Sequence, residues 1–164
     1  MKTIIIGFST HVSSVFSWLI RKVTASTVSH VYSRHAATDP SQVLVFQASG
    51  LSVNYCNLDT FKVKSRIIEE YEVEIADLQA TQNQKFRDTE VGKPYSMKQL
   101  YGFLWVLGFR KLGRKMRNPF ANGASAYVCV EVAACQTGRI QDEDAEGMTP
   151  EDFRRWCQKN ATRL

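Results

Sequence analysis

Three consecutive isoleucines inside Thr3–Phe8 make a short apolar run, the pattern of a strand buried on both faces. Ser9 and Thr10 follow, either of which suits a helix cap, and apolar residues then fall at Val12, Val15, Phe16, Leu19, Ile20 and Val23. That spacing of three and four predicts an amphipathic helix with one core-facing stripe. Val28–Arg34 reads as a second strand, ending before the loop residues Thr38-Asp39-Pro40-Ser41. Val43–Ala48 and Leu51–Tyr55 predict a hairpin around Ser49-Gly50, and Phe61–Ile68 with Tyr71–Ile75 a second one turning at Glu69-Glu70.

Helical patterns dominate the rest. Leu78–Val91 is expected to be helical and to stop at Gly92, Ser96–Leu112 is a strongly apolar helix, and Ser125–Thr137 is another, stopped by Gly138. Thr149-Pro150-Glu151-Asp152 is a cap, a proline at the first helical position and acids in the first turn, opening a helix to about Lys159. Strands cluster in the middle and helices towards the ends. The expected class is α+β, with a mostly antiparallel sheet packed against helices.

Composition narrows this without redirecting it. The 164 residues suit one domain, 1–164, with no repeat, linker or low-complexity tract. Four cysteines lack zinc-ligand spacing and are too sparse for a disulfide scaffold, so structural zinc is not expected. The opening apolar run is short, is broken by Ser9-Thr10-His11 and lacks a small-residue cleavage site. It therefore reads as folded protein, synthesised in the cytoplasm without a signal peptide.

Charge is more informative than its net value of +5. Val91–Val130 contains no acid, and seven Lys and Arg lie there, including Arg110, Lys111, Arg114, Lys115 and Arg117. With Trp105 and its apolar neighbours, these cations suit either the basic end of a buried helix or a face for an anionic surface. No helix-turn-helix, zinc-finger or stacking pattern accompanies them, so nucleic acid is not an expected partner.

The candidate chemistry rests on a cysteine and a histidine. Cys129 falls near the start of a predicted helix, where unpaired amides favour a thiolate, and small residues follow at Ala133 and Ala134. A buried core cysteine fits the same pattern. His30 lies on a strand, sharing one face with Tyr32 and Arg34, and suits a general base as well as a hydrogen-bonded core residue. Gln47, on the next strand, can accept a hydrogen bond from one imidazole nitrogen and leave the other for the thiol. His11 and His35 lie near element ends and read as surface residues, while Cys56, Cys135 and Cys157 lack an evident base.

Taken in order, Ile5-Gly7-Phe8-Ser9, Ser29-His30-Val31, Phe46-Gln47-Ala48, Gly92-Lys93-Pro94-Tyr95-Ser96 and Cys129-Val130-Glu131-Val132 resemble a known group. That group is the circularly permuted, NlpC-like branch of papain-fold cysteine hydrolases, with its YiiX-like and phage-encoded members. The resemblance implies a papain-like fold, Cys129 as nucleophile, His30 as base and Gln47 as the polar third member. It places Tyr95 near the cleft, beside which the shared strand face sets Tyr32. Val130 departs from the serine that often follows the cysteine, and Gln47 from the usual Glu or His. The implied substrate is a peptidoglycan peptide or another amide or ester, at the cell envelope or on a virion, and the resemblance implies no metal or cofactor. A lipid-directed thiol hydrolase or acyltransferase, and a non-catalytic binding module, remain open on the same fold.

Overall fold

The computed structural model describes residues 2–35, 43–50, 52–96, 128–140 and 148–164, and positions 98, 101, 102, 105, 108, 109, 113, 114 and 145. In chain order these contain β1 (Lys2–His11), α1 (Val15–Thr24), β2 (His30–Arg34), β3 (Leu44–Ser49), β4 (Ser52–Asn57) and α2 (Leu58–Lys64). They continue with β5 (Ser65–Ile75), α3 (Asp77–Glu90), α4 (Cys129–Ala134), α5 (Pro150–Asn160) and β6 (Thr162–Arg163). The six strands form one sheet in the order β4-β3-β2-β1-β5-β6. Every neighbouring pair is antiparallel. The class is α+β, an antiparallel sheet packed against helices.

Strand alternation divides the core between the two faces of the sheet. Ile4, Ile6 and Phe8 of β1, Val31 of β2 and Tyr71, Val73 and Ile75 of β5 point to one face. There they pack against Cys129, Val130, Ala133 and Ala134 of α4 and Phe153 and Cys157 of α5. The two alanines have side chains short enough for α4 to lie close to the strands, and α5 is fixed by the Thr149 and Asp152 capping box. Tyr32, Val43 and Val45 point the other way, onto Leu58 and Phe61 of α2. Gly7 is required on that face, because a Cβ there would stand 2.0 Å from the Tyr32 ring.

Three expectations are corrected. Residues 58–64 form helix α2, where Phe61–Ile68 was expected as a strand. Asn57 caps it by accepting from the Asp59 amide at 2.9 Å, and Leu58 and Phe61 are buried one turn apart. No turn forms at Glu69-Glu70, and β5 runs straight through both acids. Glu70 accepts from Tyr32 and Arg34 at 2.6–2.7 Å, and Glu69 from Tyr71 and Arg154, so the acids are satisfied within the sheet. A bulge opposite Phe8 and Ser9 takes up the irregularity instead. The third correction concerns α1. β1 continues to His11, Ser14 caps the helix, and Ser17 is its one buried residue. Of its expected apolar stripe, Val12, Val15 and Phe16 are exposed and Leu19, Ile20 and Val23 are half-buried.

The apolar helix expected over Ser96–Leu112 and the start of the one expected at Ser125 lie largely outside the described residues, as do Arg110, Lys111, Lys115 and Arg117. Arg114 is described and exposed. Among the described residues, no helix is long and apolar enough to cross a membrane.

Candidate active site

His30 opens β2, facing Ser9 of β1, and its ring lies on the α2 side of the sheet, 6.2 Å from the Phe61 ring. β3 pairs with β2 at Ser33 and Arg34 alone, so the two strands part before they reach His30. Gln47 sits on β3 beside this opening, and its Oε1 lies 2.7 Å from His30 Nε2. Both residues are buried.

The direction of that hydrogen bond follows from its neighbours. Asn54, facing Gln47 across the β3–β4 hairpin, donates through Nδ2 to the carbonyls of Ser49 (3.3 Å) and Ser52 (2.8 Å). Carbonyls only accept, so Asn54 Oδ1 must point to Gln47. Gln47 Nε2 donates to that oxygen at 3.4 Å and to Cys56 Sγ at 3.3 Å, which turns Gln47 Oε1 to the imidazole. His30 Nε2 is therefore the protonated nitrogen, and Nδ1 keeps the lone pair. Burial holds the ring well below its ordinary range, at about 4, against the opposing effect of Gln47 and with a further lowering from His11. At neutral pH the imidazole is uncharged and can accept a proton at Nδ1.

Cys129 is the first residue of α4, and Glu131 closes the preceding turn by accepting from the Val128 amide at 2.9 Å. The thiol meets the backbone amide of Val31, the residue after His30, at the edge that β3 has left. The amides of Val130 and of Cys129 itself also favour its thiolate. Burial outweighs all three, and the Glu131 carboxylate opposes them, so the thiol is pushed up to about 11. The expectation of a lowered thiol pKa is thus corrected. The helix has six residues, too short for much dipole, and the sulfur is desolvated.

Thiol and imidazole lie on either side of the Val31 backbone. Val31 packs with α4, while His30 and Tyr32 leave β2 towards α2. Among the described residues, no hydrogen bond joins Cys129 to His30. Neutral thiol and neutral imidazole are the resting states.

Tyr32 is fully buried and donates to Glu70 at 2.7 Å, and burial followed by Glu70 raises its pKa. It supports the sheet beneath α2 and forms no cleft wall. Tyr95 packs with Phe46, Ala48, Val53 and Val132, with its pKa raised by burial and then by Cys129 and Glu131. It therefore belongs to the α4 side, near the thiol.

Sequence reasoning missed His11, Asn54 and the cleft they share. His11 bonds the Lys64 carbonyl at 3.1 Å, and its ring lies 5.9 Å from that of His30. With Gln47, Asn54, Cys56, Phe61 and Lys64 it lines a cleft of about 240 Å³. No motif marks these residues, because the end of β1 meets the consecutive elements β3, β4 and α2 only in the folded chain. His11 lies two residues beyond Ser9, the partner of His30 in the register of β1 against β2. All four cysteines are free, and among the described residues no group of three or more His, Cys, Asp or Glu could hold a metal ion. A scan against protein-family models and a search of curated proteins found no match for this chain.

Proposed function

We propose that this protein is a thiol-dependent hydrolase of amide bonds, a permuted NlpC-like member of the papain-fold hydrolases. In this reading Cys129 attacks, His30 is the base and Gln47 orients it. The observation that carries it is the chain Asn54–Gln47–His30, which fixes the proton on Nε2 and leaves Nδ1 ready to accept. The order of elements supports it further, since the histidine strand and the glutamine strand precede the cysteine helix.

The step balances as an acyl transfer. The thiol proton passes to His30 Nδ1 while sulfur bonds the carbonyl carbon, and the amides near the thiol are the donors available to the oxyanion. The C–N bond then breaks, His30 returns the proton to the leaving amine, and water releases the acyl group. With the thiol at about 11 and the imidazole at about 4, proton transfer accompanies attack and does not precede it. In this reading thiol and imidazole meet only in the substrate complex.

The substrate class is a peptidoglycan stem peptide. Incubation with purified sacculi should release peptide fragments detectable by mass spectrometry, with Cys129→Ala and His30→Ala inactive but folded. Equal release by Cys129→Ala would exclude this mechanism. One observation favours a second reading, a lipid ester substrate: the exposed aromatic residues Trp18 and Trp105. Ester turnover on vesicles without release from sacculi would favour it.

A further inference from the structure

Helix α1 is amphipathic, yet its one buried residue is the polar Ser17. The Ser17 hydroxyl lies 3.1 Å from that of Thr10 and 2.6 Å from that of Ser29, a buried cluster that fixes the helix's rotation. The first turn of the helix consequently presents apolar side chains to solvent, Val15 76% and Trp18 53% exposed, with Val12 just before the helix at 77%, while Leu19, Ile20 and Val23 are half-buried. Phe16 extends this surface by meeting Tyr101 edge-on at 6.4 Å, and Trp105, packed beside Phe109, is 54% exposed. Clustered apolar exposure of this kind marks an interaction site.

Charge indicates what covers it. No Asp or Glu occurs in residues 1–38 or 91–130, and these two segments together carry +11. All 16 acids lie elsewhere, where the net charge is −6. Lys22 on α1 and Lys98 and Arg114 beside the aromatic positions are exposed. Apolar side chains with tryptophan and tyrosine, flanked by cations and free of acids, match the headgroup boundary of an anionic bilayer. A protein partner would not require the complete absence of acid from both segments. Among the described residues, no helix is long and apolar enough to cross a membrane.

We propose that α1 and the aromatic positions Tyr101 and Trp105 form a docking face for an anionic lipid surface. The face shares no residue with Cys129, His30 and Gln47, and its test does not depend on catalysis. The full chain is sedimented with vesicles of equal parts phosphatidylglycerol and phosphatidylcholine, and with pure phosphatidylcholine, at low and high salt. Binding should be confined to the anionic vesicles, weaken at high salt and fall about tenfold in Lys22→Glu/Arg114→Glu. It should be abolished in Val15→Asp/Trp18→Asp, with the urea midpoint of both variants unchanged. Equal binding to both vesicle types, no binding, or full binding by Val15→Asp/Trp18→Asp would overturn the proposal. Self-association that this second variant abolishes, without vesicle binding, would also overturn it and make the face a protein contact.

Discussion

Replacing His30 with asparagine should flatten the dependence of stability on pH. The native ring titrates at about 4 and an unfolded one at 6.5. Between those values the unfolded chain holds a proton that the native state refuses, so stability present at neutral pH is lost as pH falls. The full effect is about 3 kcal/mol, of which about 2 kcal/mol is lost between about pH 7 and about pH 4.5. Urea unfolding followed by tryptophan fluorescence across that range measures it. The wild type should lose about 2 kcal/mol more than His30→Asn over the interval. His35, lowered by burial and then by Arg87, is present in both proteins and cancels from the difference. Glu70 and Glu151, whose folded pKa values are depressed, cancel in the same way. Parallel profiles for wild type and variant would refute a buried, neutral His30.

Gln47→Leu should cost about 1–3 kcal/mol in urea unfolding, because the Nε2–H of His30 loses its acceptor inside the protein. Gln47→Glu should instead move the His30 pKa upward towards its ordinary value, through a carboxylate beside Nε2, as read by NMR titration of the ring. Gly7→Ala should destabilise by about 3 kcal/mol or prevent folding, since its Cβ would lie 2.0 Å from Tyr32, and thermal unfolding reports the loss. Alkylation of Cys129, mapped by mass spectrometry, should accelerate about tenfold per pH unit from neutrality towards its pKa of about 11. A rate already level at neutral pH would indicate a thiolate–imidazolium pair.

Elements with one clear period were legible in the amino-acid sequence. The isoleucine run of β1, the β3–β4 hairpin around Gly50, α3 ending at Gly92 and the Thr149 cap of α5 all form within about three residues of the predicted ends. Residues 58–64 were misread because Phe61 and Val63 alternate like a strand, while the stronger local signal was the Asn57 cap. Glu69-Glu70 looked like a turn because their partners, Arg34 and Arg154, are remote in sequence. α1 was recognised as a helix, but Ser17 is buried while Val15 and Phe16 are exposed, since periodicity measures amphipathicity and not which side the fold covers. Within the candidate site, the shared strand face of His30 and the neighbouring position of Gln47 could be anticipated. The Asn54 anchor, the His11 ring and the desolvation of both thiol and imidazole arise from tertiary burial, which no local pattern encodes.

The central claim is that Cys129 forms the acyl bond. The direct measurement is acid quenching of the protein during incubation with purified sacculi, followed by tryptic mapping. A mass increment equal to the acyl part of a stem peptide is predicted on the Cys129 peptide of the wild type. It should be missing from His30→Ala. An adduct on Cys56 instead, or peptide release that survives Cys129→Ala, would contradict the account.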